Sequence, residues 1–234
     1  MDAAPSPWRA ATVVEIRPET ARAKTFRFRL EQPSPHLAGQ HYVVRLTAPD
    51  GYSASRSYSI ASPPDDSAEF ELTVERLEGG EVSTFLHDDL AVSDELDVRG
   101  PIGGWFTWQA EAPALLIGGG SGVVPLMSML RLARRSGHAD LVHVAVSVRA
   151  PDDLYYSAEL PGPETTIVYT RVAPSGADRP IARLRRDDLA PFVREEATVY
   201  LCGSSGFADA ASELLLDLEV PVGQIRVERF GATS

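Results

Sequence analysis

The stretch "ALLIGGGSGVVPLMSMLRLARR" at residues 114–135 constrains this chain more than any other. A short apolar run passes directly into Gly118, Gly119, Gly120, Ser121 and Gly122, and Pro125 then opens a helical pattern. Proline suits the first helical turn, where its missing N–H costs nothing. The runs "LVHVAVSV", "TTIVYTRV", "TVYLCG" and "QIRVERF" follow, alternating with expected helices near 153–160, 183–190 and 206–218. A series of strands and helices in that order predicts a five-stranded parallel sheet. The first hundred residues have another rhythm. Six short, often alternating runs, from "ATVVEIRPE" to "DELDVRG", are separated by Pro, Gly, Asp and Ser clusters, and only "VSTFLHDDL" has helical spacing. Strands of this kind, mostly in meander order, predict a small antiparallel barrel. The expectation is therefore two domains, 1–108 and 109–234, with a boundary near residue 110.

Composition narrows the chemistry. A single cysteine, Cys202, excludes an internal disulfide, a thiolate-ligated iron–sulfur cluster and a zinc ribbon. The five histidines have no metal spacing, so no metal is expected. No apolar run approaches the roughly 20 residues of a membrane span. The opening "MDAAPSPWRA" has no signal-peptide pattern, and a cytoplasmic address is expected. The net charge of −11 disfavours a nucleic-acid partner. Arginine is the default cation here, with one lysine, Lys24, among 22 basic residues. That bias weakens any argument resting on an arginine's mere presence.

Three groups of residues carry chemistry. The glycine loop at 118–122 would let the backbone approach a pyrophosphate, held by free N–H groups and the helix dipole. A tight turn whose glycines serve packing stays open as the alternative. At the end of the second α/β strand, "SVRAPDD" has Arg149 and no acid before Asp152. An arginine there accommodates a 2′-phosphate, whereas a carboxylate would favour a free 2′-hydroxyl. With Arg171 and Arg183 it forms an expected NADPH clamp, against the alternative of solvated surface arginines. In "ASRSYSIAS" (54–62), Arg56 and Tyr58 fall on one face of a strand and Ser57 and Ser59 on the other. A flat aromatic ligand with a phosphate tail would use such groups: Arg56 for a pyrophosphate, worth about 1.5–3 kcal/mol, Tyr58 for a flavin ring and Ser59 for its N5. Gly79 and Gly80 precede a second helix start at Val82, Ser83 and Thr84, another phosphate-sized N-terminus, where Ser83 could instead be an ordinary N-cap.

The motifs "RSYS", "GGEVS", "GPIG", "GGGSGVVP", "YLCGSSGF" and "ERFG" occur in this order. On them, the chain from about residue 8 onwards resembles the ferredoxin–NADP reductase superfamily, and in particular the reductase modules of flavohaemoglobins and bacterial oxygenase systems. The resemblance implies an FAD-binding Greek-key β-barrel followed by a nicotinamide-nucleotide-binding α/β domain, with the ligands meeting between them. By motif, Arg56, Ser57, Tyr58 and Ser59 are the implied flavin-binding run, and Gly80, Val82 and Ser83 the implied phosphate element. Gly119, Ser121, Gly122 and Pro125 stand in the nucleotide loop, with serine where the family has threonine. Cys202 and Gly203 match the pair beside the nicotinamide, though Ser204 replaces a frequent proline. Glu228 and Phe230 resemble the ending near the flavin ring. Ser59, Cys202 and Glu228 are thus the implied surroundings of hydride transfer, which needs the reacting atoms about 3–3.5 Å apart. A buried core cysteine and a docked C-terminal aromatic are the alternatives for Cys202 and Phe230.

The expected function is an FAD-dependent NAD(P)H:acceptor oxidoreductase. NADPH is the preferred donor, with NADH as alternative, and FAD is preferred over FMN. Electrons would go to a separate redox protein such as a ferredoxin. The alternatives are a reductase of free flavins or ferric chelates, a flavin-holding subunit of a larger complex, and a nucleotide-binding module without redox chemistry. Residues 1–50 carry a net +2 and 51–108 a net −9, so the slightly basic 1–50 segment could attract an acidic acceptor, which the acidic 65–97 region would repel.

Overall fold

Residues 7–230 are described by the computed structural model. The opening "MDAAPS", Gly231 of the "ERFG" motif and the outer ends of both expected domain ranges lie outside them. Alternation builds the first sheet. In β1 (Arg9–Thr20) and β2 (Ala23–Leu30), Phe26, Phe28 and Leu30 turn inward while Arg27 and Arg29 turn outward. Next come β3 (His41–Thr47), β4 (Ser53–Ser59) and β5 (Glu69–Glu75), then helix α1 (Glu81–Asp88) and β6 (Glu95–Ile102). The strand order is β4-β3-β6-β1-β2-β5, every pair antiparallel. The meander order expected from the sequence is therefore corrected. Only β1–β2 and β3–β4 are sequential pairs, and β6 inserts between β3 and β1 in Greek-key fashion. Strands β4 and β5 form the two edges, and a bridge between Ile60 and Leu72 brings them together. Phe26, Phe28, Tyr42, Phe70 and Leu72 fill the interior, where Tyr42 stacks on Phe70 with ring centroids 4.2 Å apart. Val82 and Leu86 of α1 close it.

The second sheet is parallel, in the order β11-β10-β7-β8-β9. Its strands are β7 (Ala114–Gly119), β8 (Val142–Val148), β9 (Thr165–Tyr169), β10 (Thr198–Ser204) and β11 (Ile225–Phe230). Alternate residues of β7 serve two cores. Leu116 packs with α2 (Val123–Ser136), and Leu115 and Ile117 pack with α4 (Ser205–Asp217) on the other face. Helix α2 ends at Gly137, whose left-handed φ of 76° suits a residue without a Cβ. Ser204 starts α4 by accepting a hydrogen bond from the Phe207 N–H.

Two expected helices are corrected. Near 153–160 the chain makes only a single tight turn at Pro151–Asp153 followed by irregular turns. Tyr156 there has φ +55°. Its N–H donates to Glu19 (3.0 Å) and its hydroxyl to Thr73 (2.6 Å), so bonds to the barrel replace those of a helix. Near 183–190 only one turn forms, α3 (Arg186–Leu189). The second core also reaches back across the expected boundary, since Ala38, Phe106 and Trp108 belong to it.

Candidate functional site

Strand β4 presents Arg56 and Tyr58 in register opposite Val44 and Tyr42 of β3. Arg56 is exposed and donates to the carbonyl of its neighbour Ser55 (2.7 Å). Tyr58 is half-buried against the barrel core; burial pushes its phenol up, and the nearby Arg56 charge partly offsets this. Ser57 is exposed on the opposite face, and Ser59 is buried at the strand end, opposite His41. Helix α1 begins beside this strand. Its N-cap is Gly80, and no side chain caps it, so its first N–H groups stay available to an anion. Ser83 is not the cap. Its hydroxyl accepts from the Leu77 N–H and donates to the Gly80 carbonyl, both at 3.2 Å, stapling the turn. The Val82 side chain lies in the barrel core, which leaves only its backbone for a phosphate.

Two residues here escaped the sequence reading. Tyr52, just before β4, is 58% exposed, keeps the parity of Arg56 and donates to Glu81 of α1 (3.0 Å). His41 lies across from Ser59, and burial holds its imidazole below the usual histidine range. The parity of 52, 56 and 58 was a signal for Tyr52, whereas nothing local marked His41.

The second cluster gathers at the carboxyl ends of β7, β10 and β11. Gly118 is in register with Cys202, and Cys202 with Glu228. The glycine loop has internal reasons for its composition. A Cβ on Gly122 would stand 2.2 Å from the Cys202 carbonyl oxygen, and one on Gly119 or Gly203 would come within 2.6 Å of the Phe207 ring. Gly120 differs: it is exposed with φ +55°, and open space surrounds its Cβ position. The count of glycines is thus accounted for by packing and by this one turn. What points to a ligand is the helix start: a 3-10 turn, Gly120–Gly122, containing the half-buried Ser121, runs directly into α2, and Gly119 at its head has no side-chain cap. Pro125 is in the first turn of that helix, as expected.

Cys202 is fully buried, and burial followed by the nearby Glu228 charge pushes its thiol up, so it is no thiolate nucleophile. Burial also pushes the Glu228 carboxyl up to about 7. Phe230, in register with Ser204, is half-buried against the core that contains Cys202. The expected clamp residues are exposed. Arg149 and Arg171 follow β8 and β9 by one and two residues, and the Arg171 N–H donates to the Arg149 carbonyl (2.9 Å). Arg183 follows Ala182, whose N–H donates to Tyr169 at the end of β9 (3.1 Å). Among the described residues, Arg56, Arg149, Arg171 and Arg183 make no ion pair, whereas Arg17, Arg45, Arg131, Arg134 and Arg179 each pair with a carboxylate. Ion pairing alone does not single these four out, since Arg22, Arg99, Arg186 and Arg194 among others make none either; their places beside the two clusters do. The unpaired guanidinium beside an uncapped helix fits a flavin's pyrophosphate. The open Gly120 position beside a second uncapped helix fits a nicotinamide dinucleotide.

Comparisons with known proteins point to the same two kinds of domain. Residues 10–107 match the family described as oxidoreductase FAD-binding domain, and residues 116–213 that described as oxidoreductase NAD-binding domain. The chain is 32% identical over 238 residues to ferredoxin–NADP reductase B of Sorangium cellulosum, covering 94% of this chain and 96% of that protein. It is 34% identical to the glycine betaine monooxygenase reductase subunit of Chromohalobacter salexigens, over 94% of this chain and 63% of that one. The chain spans about two thirds of the length of such oxygenase-system relatives. Among solved structures, the flavohaemoglobin-like FAD/NAD-binding domain of nitric oxide dioxygenase from Vibrio cholerae O1 biovar El Tor superposes with a TM-score of 0.83. That likeness, at 24% identity over 95% of this chain and 98% of the other, is one of fold. No helix among the described residues is long and apolar enough to cross a membrane.

Proposed function

Because this chain belongs to the ferredoxin–NADP reductase superfamily of FAD- and NAD(P)-binding oxidoreductases, we propose that it uses NADPH to reduce a separate redox protein such as a ferredoxin. NADH is the alternative donor. Residues 1–108 are assigned to the flavin and 109–234 to the nucleotide, and the reaction is placed in the cytoplasm. The observation that carries the reading is a pair of helix N-termini without side-chain caps, at Gly80 before α1 and at Gly119 before the 3-10 turn that leads into α2, one in each half beside the two clusters of site residues. Each offers N–H donors and the positive end of a helix dipole to a phosphate.

When bound, FAD supplies a two-electron hydride acceptor that can release electrons singly. The protein's part is binding and orientation. Arg56 and the start of α1 would hold the pyrophosphate, Tyr58 would lie against the flavin ring, and Ser57 contributes backbone at that strand. Tyr52, just before β4 on the parity of Arg56, would meet the adenosine part, which favours FAD over FMN. Ser59 would orient N5, and Cys202 would wall the nicotinamide site without donating a thiolate. Glu228 would place a titrating carboxyl beside it, and Phe230 would cover the ring face until nucleotide enters. Arg149, Arg171 and Arg183 would receive a 2′-phosphate. The likeness to ferredoxin–NADP reductase B over nearly its whole length supports ferredoxin as acceptor and NADPH as donor.

Anaerobic titration of the FAD-loaded protein with NADPH and with NADH tests the proposal. Bleaching of the flavin's visible absorption, faster with NADPH, is expected. Protein that takes up no flavin, or loaded protein that neither nucleotide reduces, would overturn it.

A further inference from the structure

Helix α2 does more than present its N-terminus. From Val123 to Arg131 it rises eight steps of 1.5 Å, about 12 Å, and its body grips the barrel just beyond the flavin-binding strand. Ser128 is fully buried, and its hydroxyl donates to the Ser62 carbonyl (2.7 Å). A serine inside a helix ordinarily bonds back to its own preceding turn, but this one crosses to the segment that follows β4 in the barrel half. One turn on, Arg131 Nη1 donates to the Ala61 carbonyl (3.0 Å) and to Glu71 of β5 (2.9 Å). Its Nε and Nη2 hold Glu159 at 2.9 and 2.7 Å, and the guanidinium lies over the Tyr156 ring, 5.1 Å from its centroid. Burial works against ionising Glu71, but Arg17 and Arg131 together hold its carboxyl below the usual range.

The gripped carbonyls are two and three residues after Ser59. The same short segment closes the barrel, through Ile60 N–H to Gln40 (2.9 Å) and Ala61 N–H to Glu71 (2.8 Å). One rigid helix therefore joins the nucleotide loop, whose Gly122 abuts Cys202, to the strand that carries Ser59. Among the described residues, neither Ser128 nor Arg131 makes a hydrogen bond or ion pair with a residue assigned above to a ligand. We infer that Ser128 and Arg131 are positioning residues that set the placement of the nicotinamide site against the flavin site. Directional bonds to carbonyls fix register, which apolar contact alone does not. The consequence is large because a misplacement of about 1 Å in a transfer step costs on the order of 100-fold in rate. This inference rests on the proposed reading of both clusters.

The test compares wild type with Ser128→Ala, Ser128→Thr, Arg131→Lys and the Ser128→Ala/Arg131→Lys double variant. Calorimetry of the apoprotein reads the clamp without any cofactor. The wild type is expected to unfold in one transition, and the double variant in two. With FAD loaded, flavin reduction at saturating NADPH is expected to fall at least tenfold in the double variant and less in Ser128→Ala. Dissociation constants for FAD and NADPH should stay within threefold, and Ser128→Thr should restore the rate. An unchanged reduction rate overturns the inference, and so does a rate loss matched by an equal loss of FAD affinity. Should wild type itself resist reduction, the proposed function fails, while the calorimetric comparison still decides whether α2 couples the two halves.

Discussion

Among the described residues, Arg56 projects from an edge strand of the barrel with only the Ser55 carbonyl as hydrogen-bond partner, whereas Gly122 has no room for even a methyl group before the Cys202 carbonyl. The two clusters thus face their ligands differently. On the barrel side, Arg56 and Tyr52 are exposed, and the helix start beside them is uncapped. On the sheet side, Gly119, Gly122, Cys202 and Gly203 are locked into one another and into Phe207. The difference teaches that the nucleotide loop is shaped by the protein's own packing, while the flavin face depends on its ligand to engage its charges. Changes on the sheet side should therefore register first as stability, and changes on the barrel side as affinity.

The most severe break of this contrast is Gly122→Ala. The added carbon meets backbone, which cannot rotate away, so a loss of about 3 kcal/mol is expected, or roughly 6–12 °C in Tm. Gly120→Ala, two residues away in open space, should cost only about 1 kcal/mol for its left-handed backbone. Equal thermal shifts for the two would contradict the packing account. On the other side, Arg56→Ala should weaken FAD binding by about 10- to 100-fold, the range of a lost charge-assisted contact. The apoprotein should melt as before, and a lowered apoprotein Tm with FAD affinity intact would reverse the contrast.

Glu228→Gln probes the sheet side through pH. A carboxyl raised from its ordinary 4.5 to about 7 by burial ionises less readily in the folded than in the unfolded chain. Stability from this group is therefore complete below about pH 4.5, falls as pH rises toward 7 and is level above it. Allowing for partial exposure, the loss is roughly 1–2 kcal/mol. Melting curves should show the glutamine variant ahead of wild type at about pH 8 and level with it at about pH 4.5. A gap independent of pH would remove the raised carboxyl. The smallest effect belongs to Arg149→Ala with Arg171→Ala. Steady-state kinetics should show KM for NADPH raised about fivefold, in line with exposed and screened charges, and KM for NADH unmoved. Parallel changes for both nucleotides would end the 2′-phosphate assignment.

Much of the fold could be read from local pattern. The alternation of Phe26, Phe28 and Leu30 with Arg27 and Arg29, and the apolar run of β7 ending in glycine, announce their elements without help from distant residues. The β4 run and the two glycine–helix joints were visible for the same reason. Other features depend on contacts that no window of sequence contains. The turns around Tyr156 replace a helix because Glu19 and Thr73, from the other end of the chain, claim its polar groups. Ser83 looked like a cap until Leu77 and Gly80 took its hydroxyl. Ser128 and Arg131 sit in an ordinary amphipathic helix and carry no motif.

From the sequence alone came the periodicities of two sheets, the order of the motifs along them and the residue types at their joints, because each is decided by neighbours within a few positions. Only the tertiary structure decided that β6 inserts between β3 and β1, which arginines among so many stay unpaired, and that Glu228 loses its water beside Cys202. Burial and ion pairing are properties of groups brought together from far apart in the chain, and their energies do not exist until the two sheets have met.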